Sequence, residues 1–349
     1  MTHDKTISDD TINWFMEGDP AIRWQVMRDL LDASPRQWKR EQAKVATEGW
    51  GRRLLDCRDP ATGMWGGGIY TPKWTSTTYT LLLLREMGMP RDNPACRESA
   101  ACILDRETRV YAKKMKRERA AEVWEVHDLC IVGMYLALLT YFDVRDDKHD
   151  ERIERIVDYL LKQQMSDGGW NCKQRSHNAH HSSLHTTISV LDGLADYAEF
   201  RGKRAAKRVA GTAVRVADAI ARAHEFLLQH RLYKSDKTGE IIHPSFIKFS
   251  FPPRWHWDAL RGLDHLRRMA ITSGPITSGA TTCNERLRRD ERLQDAIDLL
   301  RSKRTPEGRW PLENHHSGKE FFKLEKLNHP SRWNTLRALR VLRWRDRSL

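Results

Sequence analysis

The sequence predicts an all-α fold built from repeated helical hairpins, and three observations carry that prediction. First, a short motif recurs. Tyr159-Leu160, three residues, Gln164, three residues, Gly168-Gly169-Trp170 is its fullest copy. Leu54-Leu55 … Asp59 … Gly63-Met64-Trp65 and Leu299-Leu300 … Arg304 … Gly308-Arg309-Trp310 repeat its spacing. Second, strongly apolar segments alternate with charged amphipathic ones, the pattern of inner and outer helices. Third, no period-two alternation marks a strand anywhere.

Each element follows in order. Residues 1–19 read as a polar N-terminal extension of a single domain spanning 1–349. Pro20–Asp32 and Pro35–Asp56 are the first helices. In every motif copy the paired apolar residues end a helix, and a glycine-containing turn stops it, because glycine adopts positive φ at low cost. The Trp then folds back as an apolar plug and offers its N–H to an open helix-end carbonyl. A second helix starts after Thr75-Ser76-Thr77, Ser182-Ser183 or Ser331-Arg332, all plausible N-caps.

The second helices are Tyr79–Met87, Leu129–Phe142, Leu184–Leu194, Trp257–Met269 and Trp333–Trp344, all rich in apolar residues. The first helices, Ala95–Asp105, Glu151–Gln164, Arg204–Gln229 and Arg286–Ser302, are amphipathic. Ile103-Leu104 and Phe226-Leu227 are degenerate copies without the Gly-x-Trp. The sum is about six inner and five to six outer helices. Tyr111–Ala121 and Ser273–Thr282 are the loosest stretches.

Composition narrows the function classes. With 40% hydrophobic and 31% charged residues the chain reads as a globular protein with a full core. Its longest apolar run, Leu129–Phe142, is short for a bilayer span, so no transmembrane segment is expected. The opening residues are polar and acidic, unlike a signal peptide. Six cysteines (57, 96, 102, 130, 172, 283) lack any CxxC spacing and read as reduced thiols of a cytoplasmic protein. The net charge of +13 comes from Lys113–Arg119, Arg201–Arg208, Arg286–Arg292 and Arg337–Arg347, interleaved at helical spacing as solvated outer faces. No nucleic-acid-binding signature accompanies them, so no nucleic-acid partner is expected. The oligomeric state leaves no mark.

The Tyr159–Trp170 copy resembles the QW repeat of squalene and oxidosqualene cyclases, and it is similar to the repeat of protein prenyltransferase β subunits. The degenerate copies extend the likeness over roughly residues 40 to 345. The resemblance implies an α/α toroid whose central cavity takes a small apolar, isoprenoid ligand. The prenyltransferases carry zinc on an Asp-x-Cys opening one inner helix and on a His opening the next. Asp128-Leu129-Cys130 and His185 hold those places here, so the resemblance implies Asp128, Cys130 and His185 as zinc ligands. An O, S and N set with an open fourth position is a catalytic zinc pattern.

The chain also departs from these families. Glu122 and Glu125 stand where the prenyltransferases place the diphosphate-binding Arg and Lys, and Ile131 replaces a Tyr. The cyclases' Asp-x-Asp-Asp acid has no counterpart, since Asp143-Val144-Arg145-Asp146-Asp147 has the wrong spacing. Asp146–Asp150 matches DDxxD by letters, but its place before Glu151 fits helix-start chemistry.

Three further groups stand out. His177, His180, His181 and His185 cluster, with Cys172 nearby, and His181 is placed to add a ligand beside His185. In Phe251–Asp258, aromatic residues flank His256 and Asp258 where an inner helix begins. Asp258, His256 and His181 are therefore the catalytic candidates. Glu313, His315, His316, Lys319, Lys323 and Lys326 precede the last inner helix, and Lys323, Lys326 and Arg332 are stand-ins for the missing anion grip. Two other functions fit the same fold. One is an α/α-barrel carbohydrate-active enzyme using Asp167, Asp258 and Glu313 as carboxylates. The other is a non-catalytic scaffold.

Overall fold

A computed structural model describes residues 7–115, 127–144, 147–200, 211–272 and 280–346. All regular structure among them is helical, with isolated bridges but no strand. None of the described helices is long and apolar enough to cross a membrane. The helices are α1 (Asp9–Met16), α2 (Pro20–Asp29), α3 (Pro35–Ala43), α4 (Gly49–Asp56), α5 (Thr77–Met87), α6 (Pro94–Met115), α7 (Leu129–Tyr141), α8 (Asp147–Lys162), α9 (Lys173–His177), α10 (Leu184–Phe200), α11 (Thr212–Gln229), α12 (Ala259–Thr272), α13 (Ala280–Arg289), α14 (Gln294–Ser302) and α15 (Arg332–Asp346).

The repeat is a hydrogen-bonded device, and its copies share one pattern. The Trp65, Trp170 and Trp310 indoles donate to the helix-end carbonyls of Leu54, Leu160 and Leu300 at 2.6, 2.8 and 2.7 Å. Their backbone N–H groups donate to Thr77, Thr187 and Thr335 Oγ1 on the following helix. All three rings are fully buried. Each plug therefore ties the end of one helix to the start of the next. The turns agree too: Asp59 donates to Met64, Met165 to Gly169 and Thr305 to Arg309. At Gly168, φ is +96° and a Cβ would meet the Arg222 carbonyl at 2.4 Å, so only glycine closes this turn.

The chain forms two compact units. One comprises Leu54–Phe226 and Gly318–Phe321. In it α7 and α10 pack closely: a Cβ on Gly133 would meet the Ser189 carbonyl at 2.5 Å, and one on Gly193 the Gly133 carbonyl at 2.5 Å. Any larger residue at either position would force the helices apart. Arg85 of α5 donates to the buried Asp196 of α10 at 2.6 Å, joining a third helix to this pair. Attraction to Asp196 outweighs the cost of burial and raises the Arg85 pKa.

The other unit comprises Met1–Arg53, Leu227–Ser317 and Phe322–Leu349. Arginines hold it around Asp264 of α12. Arg340 and Arg267 donate to that carboxylate, and Arg340 also reaches Gln25 and Asp29 of α2. Burial opposes the charge on Asp264, but Arg340, Arg267 and Arg337 outweigh it and hold the carboxyl well below its ordinary range. Part of the basic excess is thus spent inside the protein, not only on solvated faces.

Several boundaries differ from the sequence reading. The 1–19 extension contains α1, whose Phe15 is fully buried and which packs against α2. Pro35–Asp56 is broken by a 3-10 turn at Lys44–Ala46, and Arg286–Ser302 by another at Glu291–Leu293. Helix α8 starts at Asp147, so Asp147–Asp150 forms its first turn and the helix begins four residues before Glu151. The degenerate Phe226-Leu227 copy does have a plug: Trp257 arrives from further along the chain and donates to the Leu232 carbonyl at 2.7 Å. Glu122, Glu125, most of Lys113–Arg119, all of Arg201–Arg208 and most of Ser273–Thr282 lie outside the described residues.

Candidate metal and thiol site

The site begins with an aspartate that does not do its local job. Asp128 is the N-cap of α7, where an aspartate ordinarily accepts a backbone N–H of the first turn. It makes no such bond. Instead the Cys130 N–H donates to Cys172 Sγ at 3.4 Å, so a sulfur from elsewhere in the chain caps the helix. Thr186 of α10 fixes that sulfur. Its hydroxyl donates to Cys172 Sγ at 3.2 Å and accepts the Cys172 N–H at 3.3 Å.

The ligand atoms of Asp128, Cys130 and Cys172 all lie within 4.8 Å of one another. Among the described residues this is the one His/Cys/Asp/Glu group close enough to hold a metal ion. Asp128 is exposed and both cysteines are partly exposed, so the group opens to solvent.

The two thiols are electronically unlike. The hydrogen bond from Cys130 is the main cause that lowers the Cys172 pKa to about 7; burial opposes it and the Thr186 hydroxyl assists. The same hydrogen bond, with burial, pushes Cys130 well above an ordinary thiol. An aromatic wall adjoins the group. Burial raises the Tyr70 phenol to about 12, and the charges of Cys130, Asp128 and Cys172 add to the rise. Tyr70 and Tyr79 share a hydrogen bond at 2.8 Å, and Trp74 meets Tyr79 edge-on at 4.6 Å. The Trp74 backbone N–H donates to the Lys319 carbonyl, and Gly318 lies against the Trp74 indole.

Asp128 and Cys130 of the expected ligand set are thus together, while His185 stands outside the group. The reason is helical phase: α10 turns Thr186 toward Cys172, and His185, one residue earlier, is rotated by about 100°. Cys172 takes the third place. What brings it there is the pairing of adjacent segments: Trp170 N–H donates to Thr187 Oγ1 and Cys172 N–H to Thr186 Oγ1.

The remaining candidates are dispersed. His177, His180 and His181 are exposed on α9 and the loop that follows it. His256 stacks between Trp255 at 3.8 Å and His316 at 3.7 Å. Burial lowers the His316 pKa to about 4. Asp258 is buried and accepts from Ser250 N–H and Oγ and from Arg261 N–H. Asp167 accepts from Ser182 N–H and Oγ; Glu313 accepts from Phe249 N–H and pairs with Lys303. All three carboxylates considered for sugar cleavage thus accept hydrogen bonds from within the protein. Arg332 donates to the Trp14 carbonyl and lies over its ring, while Lys319, Lys323 and Lys326 are exposed. Sequence reasoning missed Glu325, which caps α15 through Arg332 N–H, Trp333 N–H and Ser331 Oγ.

Compared with known proteins, the chain matches no family model and no curated sequence.

Proposed function

We propose that this chain is an α/α-toroid relative of the squalene cyclases and prenyltransferase β subunits. It binds a small apolar, isoprenoid-like ligand beside zinc held by Asp128, Cys130 and Cys172. The observation that carries the reading is the convergence of those three ligand atoms at the start of α7. The donor set fits: one oxygen and two sulfurs around a tetrahedral ion leave one position open, as in catalytic sites. A bound zinc ion would supply the positive charge that makes a coordinated thiol or water a nucleophile near neutral pH.

The protein's own groups have separate roles. Thr186 orients Cys172 and the α7 N-terminus favours its thiolate. The partly exposed Tyr70 ring, backed by the buried Tyr79 and Trp74, offers aromatic surface to an apolar chain. The shared pattern of the Trp plugs supports kinship with the repeat families, and the clasped state of Asp167, Asp258 and Glu313 counts against glycoside hydrolysis.

The test uses cobalt(II) as a spectroscopic substitute for zinc. The cobalt-loaded protein should show a thiolate charge-transfer band that Cys130→Ala and Cys172→Ala each weaken. Farnesol should perturb the band, and a cello-oligosaccharide should leave it unchanged. A band indifferent to farnesol, or one moved by the sugar, overturns the ligand assignment.

A further inference from the structure

Two sulfurs held together at a solvent-facing helix start are a potential covalent site as well as a pair of metal ligands. Cys130 and Cys172 are far apart in sequence, yet their sulfurs fall within the 4.8 Å group. Neither is fully buried, so a small reagent can approach. Both sides are anchored: Cys130 sits in the first turn of α7, and Cys172 is tied by its own N–H to Thr186 of α10. The tight α7–α10 contact at Gly133 and Gly193 fixes those two supports against each other. Closing the remaining distance therefore takes side-chain rotation and little backbone movement.

We propose that Cys130 and Cys172 form a reversible dithiol–disulfide pair oxidised by small-molecule disulfides. Cys172 gives up its proton and attacks one sulfur of the small disulfide. That S–S bond breaks, and its electron pair leaves on a thiolate that takes up a proton. Cys130 then gives up its proton, attacks Cys172 Sγ and expels the second thiolate, which is protonated in turn. Net, the two cysteines lose two electrons and two protons, and the small disulfide becomes two thiols. Cys172 is assigned the first attack because its sulfur receives hydrogen bonds from the Cys130 N–H and the Thr186 hydroxyl.

The inference stands on sulfur geometry and does not require the zinc reading. Its test equilibrates the full chain in glutathione buffers of graded oxidation, both as purified and after dialysis against a chelator. Peptide mass spectrometry under acid quench follows the products. The expected result is a Cys130–Cys172 cross-linked peptide forming in a single two-electron transition and reversed by dithiothreitol, in at least one preparation. Cys130→Ser should trap a glutathione adduct on Cys172. Overturning results are free thiols at both positions throughout in both preparations, or glutathione adducts in the wild type without the cross-link. The wild-type readout decides the matter even where a variant fails to fold.

Discussion

Two helix starts invite comparison, because each places an aspartate immediately before the first helical residue. At α12, Asp258 is buried and its carboxylate is fully engaged with Ser250 and Arg261, with Arg337 at 3.8 Å. At α7, Asp128 is exposed and makes no cap bond, a sulfur having taken the cap. The first aspartate holds the structure. The second leaves its carboxylate next to two thiols. Acidic residues at helix starts look alike in sequence, and what separates them is whether the neighbouring backbone has already claimed their oxygens.

The largest expected effect lies in the scaffold common to both. Trp170→Ala or Trp310→Ala removes a buried ring and its helix-end hydrogen bond, and should cost about 3–5 kcal/mol in urea unfolding. The aspartate comparison is next. Asp258→Ala strands buried donors and should cost about 2–3 kcal/mol, whereas Asp128→Ala should cost under about 1 kcal/mol and act on metal content. Equal losses at the two positions would erase the distinction drawn between them.

A smaller, pH-dependent effect sharpens the α12 side. Burial holds His316 near a pKa of about 4 against the ordinary 6.5, with Arg254, His315 and Arg261 assisting and Asp258 opposing. The unfolded chain therefore binds this proton first. Stability from this residue is fully present above pH 6.5 and is lost as the pH falls toward 4. His316→Gln should flatten that part of the stability profile, measured by thermal unfolding across the window. An unchanged slope would remove His316 as its source.

Much of the fold was legible because the repeat encodes its own hydrogen bonds. The Gly-x-Trp spacing anticipated the indole-to-carbonyl bond at Leu160 and Leu300, and at the first copy the acceptor is Leu54, one residue off the motif's register. Trp257 was not linked to the degenerate Phe226-Leu227 copy because a long insertion separates it from the carbonyl it meets. The site was half legible. Asp128 and Cys130 share one short string, but the third partner depended on which face of α10 looks at α7, and a single residue of phase exchanged His185 for Thr186 and Cys172. Which of Asp258 and Asp128 has its oxygens claimed by neighbouring backbone was not readable, since capping by a distant sulfur leaves no local trace.

The zinc site is tested most directly by the zinc content of the purified chain, measured by elemental mass spectrometry after metal supplementation. Near one zinc per chain is expected, lost in Cys130→Ala and Cys172→Ala and retained in His185→Ala. No zinc in the wild type, or loss in His185→Ala with retention in Cys172→Ala, would contradict that site.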